Sequence, residues 1–320
     1  MSTLIKKRES ENETKKLNIE EWYDENKKIN EDFCDKIKNL LKEIIDDEGI
    51  VVADITGRVK EKQSLLKKFE TKTYEKFEQL TDFVGVRVIG YVLDDVDKIC
   101  KSIEEQFDID EKDSGDKGKA LKDNEVGYRS VHYIANLGRS RCELTEYKRF
   151  KGMKFEIQVR TLLQHAWAEI EHDNGYKFSG VLPSEIKRRF YLVSGALELL
   201  DREFQSLANE LKVYAKETKR EIKIKNLDIE INSTSLHEYL SNKLKDYDNI
   251  EKTFNGLDSQ VIRHLKNLDI NTIQELDSRI TPKLLERFRE RTGDYASFMM
   301  DLDLDKYFKL IEVESGYNIL

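Results

Sequence analysis

Apolar positions at helical spacing mark the first ordered stretch of the chain. Ile19, Trp22, Phe33, Ile37, Leu40, Leu41 and Ile44 predict an amphipathic helix, or two, ending near Asp47. Residues 1–18 are polar and are expected to fray. Short β-type runs follow at 50–55, 83–92, 128–136 and 154–160, with helical patterns at 63–68 and 96–106 between them. That alternation predicts a mixed α/β fold. The stretch 108–127, poor in apolar residues and containing DSGDKGK, reads as a surface loop beside a strand.

Farther on, Phe190, Val193, Leu197, Leu200, Phe204, Leu207, Leu211 and Tyr214 recur at alternating spacings of three and four. This is the heptad seam of a long helix. It can pack on its own domain or pair with a second copy through 190–214, and the spacing alone does not choose. Beyond Asn226 short helices are expected, with Thr281-Pro282 as a start signal ahead of Leu284. The pattern divides the chain into an N-terminal helical segment (1–36), an α/β domain (37–207), a helical linker (208–228) and a small all-α domain (229–320). The last is acidic, with 17 Asp and Glu against 12 Lys and Arg, which disfavours nucleic-acid binding by charge.

Composition narrows the class. Charged residues make up 37% of the 320 and Pro only 2 residues, which suits a helix-rich, solvated globular protein. A formal net charge of −8 excludes a general nucleic-acid coat, while leaving room for a local basic site. Cys34, Cys100 and Cys142 form no CxxC pair, so a reducing, cytoplasmic setting is expected. No window approaches the roughly 20 apolar residues of a membrane span, and the N-terminus lacks a signal-peptide core.

Three strand-borne motifs carry the candidate chemistry. In FEIQVRT (155–161) the two-residue period sends Glu156, Gln158 and Arg160 to one face and Phe155, Ile157 and Val159 to the other. In GYRSVHY (127–133) the same rule groups Tyr128, Ser130 and His132. Asp82 opens the third, DFVGVRVIGYV. Asp82 and Glu156 supply the hard oxygens that Mg²⁺ prefers. Cations for phosphate stand in GRVKEKQSLLKK, at Arg58, Lys60 and Lys68 with Ser64 among them, and again at Arg87.

These motifs, with EIQVRTLLQHAWAEIEHD (156–173) and NGYKFSG (174–180), resemble the RelA/SpoT-type nucleotide pyrophosphokinases, most closely the small alarmone synthetases that lack a hydrolase domain. The resemblance runs from about residue 37 to 207. It implies a nucleotidyltransferase-like mixed sheet flanked by helices, and transfer of the β,γ-pyrophosphate of ATP to the 3′-hydroxyl of GTP or GDP with Mg²⁺ as cofactor. By the same resemblance, Asp82 and Glu156 hold the metal, and Glu156 accepts the attacking hydroxyl's proton. Arg58 and Arg87 sandwich adenine, while Lys60, Ser64 and Lys68 contact ATP phosphates. Tyr128 stacks on guanine, with Arg129, His132, Gln158, Arg160 and His165 in the acceptor half.

Departures from the family pattern at Phe69-Glu70-Thr71 and Asn124 keep an alternative open. In it, a toxic synthetase uses adenosine nucleotides or the tRNA 3′ end as acceptor, gated by a protein regulator on 229–320. A hydrolase reading finds less support. His165, Glu169 and His172 share a helical face but do not form HExxH, and only His132, His237 and His264 remain to complete a metal site.

Overall fold

The structure is a computed structural model describing residues 2–71, 80–116, 130–177, 183–244 and 259–282, with side chains over 19–69, 80–115, 130–171, 183–244 and 261–282. The chain divides into two compact units, Met1–Ser206 and Leu207–Leu320. In the first, helix α1 (Ser2–Asp47) is a single helix that includes the segment expected to fray. No Gly or Pro interrupts it, and it stops where Gly49 takes a positive φ of 65°.

Among the described residues six strands follow: β1 (Val52–Val59), β2 (Val84–Gly90), β3 (Asp108–Ile109), β4 (Gly115–Asp116), β5 (Val131–Asn136) and β6 (Phe155–Thr161). Their order is β1-β2-β6-β5-β3, with β4 also on β5. β2 and β6 run parallel, and the other pairs are antiparallel. The stretch expected to be wholly loop at 108–127 thus contributes two strands. Two-residue strands are too short for a period to reveal them.

One sheet face is packed and the other is open where β1, β2 and β6 meet. Val84, Val86 and Val88 of β2 and Phe155, Ile157 and Val159 of β6 are buried with Phe33, Ile37 and Leu41 of α1 and Ile99 and Ile103 of α3 (Leu93–Gln106). Burial of each such side chain contributes about 1.5–3 kcal/mol. Phe33 meets Phe155 edge-on at 5.6 Å. Gly57 belongs to this packed side, since a Cβ there would lie 2.7 Å from Cys34 Sγ. Its neighbour Arg58 is therefore turned to the open face.

Helix α2 (Lys62–Thr71) leaves the end of β1, and α5 (Leu162–Lys177) continues directly from β6. Between β5 and β6 lie α4 (Gly138–Cys142) and a 3₁₀ turn, Lys148–Phe150. Helix α6 (Ser184–Lys223) buries Ser194 and Asp201, and Thr161 Oγ1 donates to Asp201 Oδ2 at 2.8 Å. Of its heptad seam, Val193, Leu200, Phe204, Leu207 and Leu211 are exposed, while Leu197 is half-buried and Phe190 packs on Trp167 at 5.5 Å. The helix turns a polar stripe inward, so packing on its own domain accounts for Phe190 but leaves most of the seam exposed.

In the second unit, α7 (Ser233–Lys243), α8 (Ser259–Asn267) and α9 (Ile273–Arg279) surround Ile231, Leu236, Leu240, Leu265, Ile273 and Leu276. Asn232 caps α7, and Thr272 with Glu275 forms a capping box on α9. The start signal at Thr281-Pro282 leads into residues outside those described. Among the described residues, no helix is long and apolar enough to cross a membrane.

Candidate functional site

The open face is organised in rows that the strand register sets. Arg58 of β1 pairs with Gly85 of β2, which pairs with Glu156 of β6. The next row runs Thr56, Arg87, Gln158 and His132. A Cβ built on Gly85 meets nothing within 4 Å, so the space between Arg58 and Glu156 is open. A cavity of about 300 Å³ lies over these rows, lined by Arg58, Lys60, Asp82, Arg87, Glu156, Gln158 and Glu169 among others.

Antiparallel pairing of β1 and β2 places the residue after one strand beside the residue before the other. The Lys60 backbone amide donates to the Phe83 carbonyl at 2.8 Å, and the Lys60 ammonium donates to Asp82 Oδ2. Lys68, in the last turn of α2, reaches the same oxygen, each ammonium at 2.5 Å. Burial opposes ionisation of Asp82, but these two ammoniums outweigh it and hold the carboxyl below its ordinary range. Asp82 Oδ1 is buried and has no hydrogen-bond partner among the described residues. Ser64, on the same helix, is exposed and outside the cavity lining.

Glu156 has a donor on each oxygen. His132 Nδ1 is 2.7 Å from Oε1, and Gln158 Nε2 donates to Oε2 at 2.9 Å. Burial again opposes ionisation, but these bonds win and Glu156 is held below the usual carboxylate range. Arg160 Nη2 donates to Gln158 Oε1 at 2.9 Å, extending the network along β6. Burial, with Arg87 nearby, pushes Arg160 down to about 10, so it stays charged at neutral pH. His165 on α5 is held below its ordinary range by burial and by the neighbouring Arg87.

The register joins what sequence reasoning kept apart. Arg87, expected on the donor side, stands opposite Gln158 and near Arg160 and His165, all expected on the acceptor side. His132, expected in the acceptor half, is hydrogen-bonded to Glu156. Glu169 was not anticipated as a site residue: it lines the cavity and pairs with Arg87 at 3.0 Å. Its one sequence signal was its place one turn beyond His165. Tyr128, Arg129 and Asn124 lie outside the described residues, as does the His172 side chain.

The donor set can be tested against a metal. Asp82 Oδ1 offers unused lone pairs in the cavity that also contains Glu156, and both are hard oxygen donors. Among the described residues no group of three or more His, Cys, Asp or Glu converges on a point. The fit is therefore to an ion that takes one or two carboxylates and completes its shell with phosphate and water, as Mg²⁺ does. Asp82, Glu156, Lys60, Arg58 and Arg87 line this cavity, with Lys68 on Asp82, a set suited to polyphosphate.

Residues 57–181 match the model of the region found in RelA and SpoT proteins. GTP pyrophosphokinase YjbM of Bacillus subtilis is 30% identical over 168 residues, 52% of this chain and 76% of the relative. GTP pyrophosphokinase YwaC of the same organism is 27% identical over 160 residues, covering 48% and 73%. The crystal structure of small alarmone synthetase 2 from Bacillus subtilis matches the fold with a TM-score of 0.50 at 23% identity, covering 59% of this chain and 98% of that one. The chain belongs to the RelA/SpoT family.

Proposed function

We propose that the chain is a pyrophosphokinase that moves the β,γ-pyrophosphate of ATP onto the 3′-hydroxyl of GTP or GDP, with Mg²⁺ as cofactor. The observation that carries this reading is the pairing, in one cavity, of Asp82 with its unused Oδ1 and Glu156 with its fixed carboxylate. Bacillus relatives named GTP pyrophosphokinases support guanine as the acceptor base.

Asp82 and Glu156 would hold Mg²⁺, which when bound neutralises charge on the polyphosphate. The acceptor's 3′-oxygen bonds to the β-phosphorus of ATP, the bridge from the β-phosphorus to the α-phosphate oxygen breaks, and AMP leaves. Glu156 takes the proton of the attacking hydroxyl. Lys60 and Lys68 move from Asp82 to phosphate oxygens, exchanging one anion for another. Arg58 and Arg87, on adjacent strands at the cavity, offer guanidinium planes for the adenine ring, and Tyr128 is proposed to stack on guanine.

The outward seam of α6 supports a second copy of the chain as a partner, because its heptad spacing is unbroken from Phe190 to Tyr214.

Rapid-quench measurement of AMP formation tests the roles. Glu156→Gln and Asp82→Asn are each expected to slow the single-turnover rate by about 10²- to 10⁴-fold, the range for loss of a positioned base or a charge-neutralising group. Wild-type speed in the Glu156 variant would refute its role.

A further inference from the structure

Ser130, immediately before β5, is 9% exposed, and His132, two residues on, 8%. Ser130 Oγ lies 2.8 Å from His132 Nε2, and His132 Nδ1 lies 2.7 Å from Glu156 Oε1. These buried contacts form an unbroken line from a hydroxyl to a carboxylate.

The chemistry of the line fixes its hydrogens. An ionised carboxylate only accepts, so His132 Nδ1 must carry hydrogen for the 2.7 Å contact to be attractive. A neutral imidazole then presents a bare lone pair at Nε2. The group beside that lone pair is the Ser130 hydroxyl, which can donate to it. Which nitrogen of a histidine carries hydrogen is set by the partner of the other.

We infer that Ser130 is a positioning residue for pyrophosphate transfer: its hydroxyl donates to Nε2 of the Nδ1–H tautomer that the Glu156 carboxylate requires, and so fixes the imidazole that braces Oε1 of Glu156. Gln158 holds Oε2, so the carboxylate plane is fixed from both sides. In the other tautomer, a lone pair on Nδ1 would face Oε1 and repel it. The order serine, histidine, acid matches that of a hydrolytic triad, but here the serine is the buried end and the acid faces the cavity. Force therefore runs toward Glu156 rather than toward a serine nucleophile. The inference rests on Glu156 being the base of the proposed reaction.

The test is nitrogen NMR of the full chain with ¹⁵N-labelled histidine. It is paired with steady-state kinetics on wild type, Ser130→Ala, His132→Asn and the double variant. Wild type should show His132 as the Nδ1–H tautomer, identified by the loss of its signals in His132→Asn, and Ser130→Ala should move the Nε2 resonance as its donor is removed. The same change should lower kcat about 10- to 100-fold, as expected for one hydrogen bond to a charged group, with both KM values within about twofold. An asparagine amide can donate to Glu156 but has no Nε2 for Ser130 to hold, so in the His132→Asn background Ser130→Ala should cost less than about twofold. His132 found as Nε2–H or doubly protonated in wild type overturns the inference, even if Ser130→Ala fails to fold. An unchanged Nε2 resonance and kcat in Ser130→Ala also overturn it. Wild type that transfers no pyrophosphate would instead sink the proposed function, leaving the tautomer readable by NMR.

Discussion

Arg87 on β2 and Glu169 on α5 form an ion pair of 3.0 Å beside the cavity. Arg87 is mostly buried there, its Nε has no hydrogen-bond partner among the described residues, and its Nη1 is oriented by this carboxylate. If Arg87 stacks on the adenine of ATP, Glu169 sets the angle of that guanidinium.

Glu169→Ala is therefore expected to raise the KM for ATP about two- to fivefold with little change in kcat. A partly exposed pair is worth no more than about 1 kcal/mol. Glu169→Gln, which keeps an acceptor, should fall between. Steady-state kinetics with ATP varied decides this, and an unaltered KM in the alanine variant would remove Glu169 from the donor site.

The folded site should also shape acid stability. Asp82 and Glu156 are both held below their ordinary values of 3.8 and 4.5. A depressed carboxyl pKa contributes stability above the unfolded value and loses it as pH falls through the folded one. Urea unfolding midpoints should fall between pH 6 and pH 3, and fall less steeply in Asp82→Asn, which lacks one of the two linked groups. Equal slopes would mean the two lysine contacts do not persist in solution.

Much of this site was legible because strand period is rigid. FEIQVRT alone assigned Glu156, Gln158 and Arg160 to one face, and the structure places all three there. What the sequence did not reveal depends on long-range register. His132 meets Glu156 because β5 runs antiparallel to β6 with His132 opposite Gln158. Lys60 and Lys68 converge on Asp82 because β1 pairs with β2 across an intervening helix. Glu169 meets Arg87 only through the way α5 continues from β6 over a strand some 80 residues earlier in the chain. Helix α1 erred in the other direction: polar composition suggested fraying, yet 2–18 contain neither Gly nor Pro to end a helix already begun.

The seam of α6 makes a separate prediction. Leu200→Glu with Leu211→Glu should reduce the mass measured by light scattering to that of a single chain while circular dichroism stays helical. Charges at heptad core positions cannot be buried cheaply. A wild-type protein that already has the mass of one chain would show that the seam does not pair with a second copy.

The most direct test of the account follows the γ-phosphate label of ATP in a mixture of purified protein, Mg²⁺ and GTP, GDP, ATP or deacylated tRNA. Label should appear on the guanine nucleotide, with one AMP formed for each labelled product. Label retained in ATP, released as inorganic phosphate, or transferred to an adenosine nucleotide or the tRNA 3′ end would contradict the proposed transfer to guanine nucleotide.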